Sequence, residues 1–401
     1  MKTIYHKIFF LPLLFLGLGG ALPLWGQGSS VPAVLNAIAE NNTALKALRE
    51  NTRAQQLENR TNIFLPGPEI GFNYLRGTPQ AVGSRTDISV TQTFDFATIL
   101  GLRSKTARQQ NVLLDLEYRT GLMNILLEAR QYCIDAVYYN ALKKALGLRL
   151  QRAETMARSY RERLDRGDVS ILEYNKAQLN LTAVQSEMAR TTVEQKAALQ
   201  ALQRLNGGVA VTLDDDSYDG AALPGSFDAW FETAALKSPV LEAVNGEVAL
   251  RKQQVGLAQA GNWPALSAGY MSERITGETF QGLTLGLSIP LWGNRNRTKQ
   301  AKAAVRAAES KQADMRLQLY AYLQSVYDRA AGLRDIAAAT RQSLQTLNST
   351  ALLQKALDAG EISLLNYLVE VELYYDAITR ALEAERDFEK AIAELRAVEA
   401  M

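Results

Sequence analysis

The sequence of 401 residues contains one histidine, His6, and one cysteine, Cys133. His6 falls in a leading segment, 1–27, that reads as a signal peptide: Lys2 and Lys7 precede an apolar run from Ile8 to Leu24, and small or polar residues follow at Gly26 to Gly28. Without that segment the chain has no histidine. This excludes a Ser-His-Asp triad, a Cys-His dyad, and zinc sites built on His or paired Cys. Carboxylate-only catalysis and hard-metal binding stay open, although no cofactor or metal site is expected. A single Cys offers no intramolecular disulfide in an exported protein. An excess of one charge is also missing. Lys plus Arg is 44 and Asp plus Glu is 42, so loss of Lys2 and Lys7 leaves a neutral chain, and a nucleic-acid partner is not expected. Beyond the signal, no apolar run approaches the ~20 residues of a membrane-spanning helix. A membrane protein of this sequence has to use strands.

Proline is scarce and clustered. Stretches 80–223 and 291–401 contain none, so long helices are possible there. Glycine divides these stretches. A helix over Leu102–Asp165 is expected to end at Arg166-Gly167-Asp168, and a shorter one over Val169–Asn206 at Gly207-Gly208. Asn296–Asp358 and Ile362–Ala400 are expected to repeat that pattern around Ala359-Gly360-Glu361. At ~1.5 Å per residue the long helices span roughly 95 Å and the short ones roughly 57 Å. Each half opens with a further helix, over 31–62 or 226–261.

The halves also match in sequence. Leu164-Asp165-Arg166-Gly167-Asp168-Val169-Ser170 aligns with Leu357-Asp358-Ala359-Gly360-Glu361-Ile362-Ser363, and Asn42-Thr43 aligns with Ser238-Pro239 as helix starts. The chain therefore reads as a first repeat, 28–216, and a second, 217–401. Apolar residues such as Leu364, Leu368, Val371, Tyr375, Ile378 and Leu382 follow steps of three and four, a seam for a neighbouring helix.

Between the first and second helix of each half the period drops to two. Leu283, Leu285, Leu287, Ile289 and Leu291 alternate with Thr284, Gly286, Ser288 and Pro290; Ile70, Phe72 and Tyr74 alternate with Gly71 and Asn73; and Ile88, Val90, Phe94 and Phe96 share a face with Gln92. Strand pairs are expected over 69–96 and 265–291. Apolar-out, small-polar-in alternation with aromatics near strand ends is an outer-membrane barrel pattern. The competing reading is a soluble sheet with one face on a core. Four strands cannot close a barrel, and unpaired edges in lipid cost several kcal/mol per group, so several chains must pool their strands.

This ordered set of features resembles the TolC-like outer-membrane efflux family. Ile289-Pro290-Leu291-Trp292-Gly293-Asn294-Arg295 looks like its junction of last strand and long helix, and Gln92-Thr93-Phe94-Asp95-Phe96 with Gly101-Leu102-Arg103 like the first-half counterpart. The resemblance implies a mainly helical fold: a long antiparallel coiled-coil barrel, with four strands per chain contributed to a shared trimeric β-barrel in outer-membrane lipid. It implies passive export of small molecules or ions with an inner-membrane pump, and a periplasmic adaptor docking at the helical tips. Those tips are Arg166, Gly167, Asp168, Val169 and Ser170, and Ala359, Gly360, Glu361, Ile362 and Ser363. Where the family often carries two Asp beyond the second tip as a charged constriction, this chain has Asn366 and Val369. Glu173, Asn366 and Glu370 are therefore the constriction candidates, with Glu372 nearby. Two other readings are a periplasmic coiled-coil adaptor without a pore and a carboxylate-dependent exported enzyme. Asp214, Asp215, Asp216 and Asp219 are expected to be a solvated loop, and Cys133 an ordinary small apolar side chain.

Overall fold

The computed structural model describes residues 30–399 apart from 62, 221, 293 and 348. The expected signal segment lies outside the described residues. The first repeat opens with α1 (Val31–Asn41) and α2 (Thr43–Thr61), passes through β1 (Glu69–Arg76) and β2 (Ser84–Phe94), and continues through α3 (Phe96–Ile99), α4 (Leu102–Asp165) and α5 (Ile171–Leu205). The second repeat follows with α6 (Phe227–Lys237), α7 (Pro239–Ala260), β3 (Ala265–Ile275), β4 (Glu278–Ser288), α8 (Arg297–Thr346), α9 (Thr350–Asp358) and α10 (Leu364–Ala397).

Three expected boundaries shift. The opening helix of each repeat is two helices, joined at the aligned residues Asn42 and Ser238. Asn42 is buried. Its side chain accepts from the Leu45 amide at 2.9 Å and donates to the Leu205 carbonyl at 2.8 Å, so it caps α2 and ties it to the end of α5. The second long helix, expected unbroken over 296–358, ends as α8 at Thr346 and resumes as α9 at Thr350. Hydroxyl residues flank this break (Ser343, Thr346, Ser349 and Thr350), and such side chains compete with the helix for its backbone groups; Thr346 Oγ1 donates to the Gln342 carbonyl at 3.1 Å. The strands also end early. Asp95 caps α3, accepting from the Thr98 amide at 2.7 Å, so Phe96 is helical. Ile289 and Leu291 lie beyond β4, where Pro290 cannot donate to a ladder.

The long helices organise the wall. α4 has α2 and α5 along one flank and α7 and α10 along the other, and α8 packs on α7 and α10. Two cores hold this together. One joins Val34 and Ile38 to Ala198 and Leu202; the other joins Phe227 and Phe231 to Ala391 and Leu395. These pairs sit 193 positions apart throughout, so the duplication extends into the packing. Cys133 lies fully buried in the first core, and burial pushes its thiol up to about 12.

The four strands form one antiparallel sheet in chain order. Its register aligns like with like. Ile70, Val90, Tyr270 and Leu283 stand opposite one another across all four strands, as do Phe94, Leu266 and Leu287 across three. The other face carries Gly71, Ser89, Met271 and Gly282 in one such row, and Thr91, Gly269 and Thr284 in another.

Candidate functional site

Two regions bear on function: the sheet and the helical tips. On the sheet, the apolar face has no cover. Leu283 and Leu285 are each 87% exposed, Ile70 73% and Phe72 67%. This excludes the soluble-sheet reading, in which that face would lie on a core. The opposite face is small and polar toward the helices and larger toward the hairpin end, where Leu75, Ile275 and Phe280 share it with a charged cluster in which Arg85 pairs with Asp87 at 2.8 Å and with Glu273 at 3.1 Å. β1 and β4 are the outer strands, each paired on one side only among the described residues. No described helix is long and apolar enough to cross a membrane.

Both tips are built alike. At the first, the Gly167 amide donates to the Leu164 carbonyl at 2.9 Å and the Asp168 amide to the Arg163 carbonyl at 2.8 Å; at the second, Gly360 donates to Leu357 at 3.1 Å and Glu361 to Ala356 at 2.9 Å. This is the Schellman helix stop. It needs a left-handed residue, and Gly167 and Gly360 have φ of 76° and 74°. Three residues on, Ser170 and Ser363 cap the returning helices, accepting from the Glu173 and Asn366 amides at 3.3 and 3.2 Å. Arg166 and Asp168 pair across the first turn at 3.2 Å, exposed to solvent.

The fold brings the two tips together. Met156 and Tyr160 of α4, Ala177 of α5, Leu357 of α9, and Leu364, Tyr367 and Val371 of α10 form one buried cluster, with Val169 and Ile362 packed on it. A cleft of about 640 Å³ opens beside it, lined by Arg152, Tyr160, Arg163, Gln354 and Asp358 among others. That cluster was not foreseen from sequence, although Val169 and Ile362 occupy matching places in the aligned tips.

The constriction candidates are placed differently. Glu173 completes a capping box: its carboxylate accepts from both the Ser170 amide and hydroxyl at 3.0 Å. The Ser170 backbone hydrogen bond, then its hydroxyl, hold that carboxyl below the ordinary range. The Ser-x-x-Glu spacing that signals this role was present in the sequence. Asn366 is the equivalent residue of α10, and Glu370 follows one turn later; both are exposed. Of the acidic linker, Asp216 pairs with Lys144. Among the described residues no three or more His, Cys, Asp or Glu side chains are grouped so that they could hold a metal ion.

Comparison with known proteins agrees with this geometry. Residues 230–399, the body of the second repeat, match the outer membrane efflux protein family. Similar folds include a membrane protein from Pseudomonas aeruginosa, at 16% identity, TM-score 0.75, and coverage of 92% of this chain and 89% of that one. The Campylobacter jejuni CmeC outer membrane channel gives 15%, 0.72, 98% and 93%. The Neisseria gonorrhoeae MtrE outer membrane channel, solved in its open state, gives 14%, 0.71, 92% and 88%. At such identities the likeness shows the fold alone. A search of curated proteins gives no match. The family match over the second repeat and the shared fold bear out the resemblance to TolC-like outer-membrane efflux proteins, a family of channels and not of enzymes, seated in the outer membrane with their helices in the periplasm.

Proposed function

We propose that three copies of this chain pool their strands into a twelve-stranded barrel, continued by their helices into a tunnel for passive export of small molecules or ions. The observation that carries this reading is the sheet, with its apolar face uncovered and its outer strands each half-paired. In lipid those edges need partners, and the first strand of a second copy is the natural one for β4. Eight strands, from two copies, would leave an interior filled by side chains; twelve is the next closed set and leaves a lumen.

The helical wall supports the same closure. α4 is flanked on both sides, whereas α8 has α7 and α10 along one flank only. Leu317 and Ile336 of α8 are exposed, as are Leu172, Leu179 and Val193 of α5, the last three at heptad-like spacing. Placing α5 of one copy beside α8 of the next repeats the α4–α10 arrangement.

Energy for export comes from an inner-membrane pump, linked through a periplasmic adaptor that docks at the paired tips. Both tips are exposed turns held rigid by the cluster beneath them. Replacing Gly360 by Val strains the left-handed turn and adds bulk at the docking surface. Export in a sensitised strain should fall while the detergent-stable oligomer persists in the outer membrane; normal export by both Gly167→Val and Gly360→Val counts against the tip assignment. Glu173, Asn366 and Glu370 narrow the tunnel just inside the tips. A Glu173→Gln channel with unchanged conductance and ion selectivity removes Glu173 from that role.

A further inference from the structure

A strongly cationic band lies where helices meet strands. From residue 295 to 308 the chain has Arg295, Arg297, Lys299, Lys302 and Arg306 and no acid, and from 101 to 114 it has Arg103, Lys105 and Arg108 and no acid. Arg251 and Lys252 enter the same band from α7, and Arg60 from α2. Near neutrality of the whole chain makes this local excess a matter of placement.

The cations point away from the rest of their own chain. On α8, Lys299, Lys302 and Arg306 recur at steps of three and four on one side, roughly opposite the buried Ala301 and Ala308. On α4, Lys105 and Arg108 likewise stand opposite the buried Thr106 and Ala107. All five are exposed, and none has an ion-pair partner among the described residues. Neither long helix has an acid in its first turn, so the positive helix ends add to these charges. Immediately on the strand side lies an exposed apolar collar: Phe64 and Leu291 at 72%, Trp263 at 51% and Trp292 at 77%. Indole rings settle at headgroup depth, so the cations begin where phosphates would lie.

We propose that this band binds anionic phospholipid headgroups of the periplasmic leaflet, fixing the depth of the barrel and the start of the helical tunnel. The inference rests on the membrane reading of the strands. Free anions share the phosphate chemistry, but the adjoining aromatic collar favours a headgroup attached to acyl chains. If the cations instead line the lumen, they would tune anion passage.

The test uses the full chain reconstituted in phosphatidylcholine vesicles with and without a minority of phosphatidylglycerol, reading bound lipid by native mass spectrometry and selectivity by single-channel reversal potential. Phosphatidylglycerol should be retained preferentially, and the preference should weaken with salt. The variant Lys299→Gln/Lys302→Gln/Arg306→Gln should lose it by on the order of fivefold per cation removed at low salt. The control Arg158→Gln/Lys176→Gln/Lys196→Gln, an equal charge loss on α4 and α5 away from the band, should keep it. Equal retention of both lipids, an equal loss in the control, or a changed anion selectivity with lipid preference intact overturns the proposal while leaving the channel reading standing. Failure to insert into either vesicle overturns the membrane reading itself.

Discussion

Leu283 sits at the centre of β4, five residues from each end, and is 87% exposed on the apolar face. Eleven residues at ~3.4 Å, tilted by ~40°, span roughly 27 Å, about the height of an outer-membrane apolar band. Leu283 therefore lies close to the bilayer midplane, where an Arg costs about 2–4 kcal/mol per chain. Leu287 shares its face but lies one residue from the strand end, and Leu287→Arg should cost about 0–1 kcal/mol because the guanidinium reaches the interface. Thr284 points to the other face, opposite Gly269, which has no side chain to clash with a longer neighbour. In a water-filled lumen Thr284→Arg should cost little. Urea titration of refolded protein in vesicles, followed by tryptophan fluorescence, reads all three. The ordering Leu283→Arg far above Leu287→Arg and Thr284→Arg is the expected result. If Thr284→Arg is as damaging as Leu283→Arg, the sheet has no lipid face and the barrel reading fails.

Ser170→Ala should loosen the first turn of α5 by about 1 kcal/mol, seen as faster amide exchange there; unchanged exchange refutes the capping assignment. Because Glu173 is held below the ordinary carboxylate range, its contribution is present above that range and lost as pH falls through the lowered value, so wild type and Glu173→Ala should converge in stability only in acid. Convergence already at neutral pH contradicts the capping box. Phe231 is 1% exposed, and Phe231→Ala should destabilise the helical region by about 3–5 kcal/mol in denaturant titration; a loss under 1 kcal/mol would mean the second core is not packed as described. Cys133 is buried with its thiol pushed up to about 12, so iodoacetamide at pH 8 should label it only after denaturation; stoichiometric labelling of the folded protein refutes its burial.

The sequence was most legible where backbone chemistry is absolute. Gly167 and Gly360 had to stop helices, and both do so at the expected residues. Period-two alternation located the strands because nothing else in the chain has that period. Legibility failed where the signal is weaker. The break between α8 and α9 contains neither Gly nor Pro, and hydroxyl residues influence a helix by only tenths of a kcal/mol each. Alternation carried the strand reading past Ser288 to Leu291, since a hydropathy pattern does not register the missing donor of Pro290. Glu173 carried two signals, a place beyond the tip and a Ser-x-x-Glu spacing. The second is local, so the structure expresses it directly. A pore role depends on other copies.

Duplication links the incomplete sheet to the incomplete wall. Inside the chain, β2 of the first repeat pairs with β3 of the second, and α4 of the first lies against α7 and α10 of the second. Each repeat is thus already joined to a near-copy of itself, through strands and helices at once. The free side of β4 and the free flank of α8 are the second repeat's equivalents of those joined surfaces, and β1 with α5 supplies their complement. An operation that satisfies the internal joint is available at the external one, so the chain ends with the same unmet need at strand and helix level. Repeating that joint must eventually return to its start, because a ring removes every edge at once and an open row never does. The lumen then follows from how many repeats the strand tilt admits, and six is the smallest even set above the eight-stranded barrel that side chains would fill.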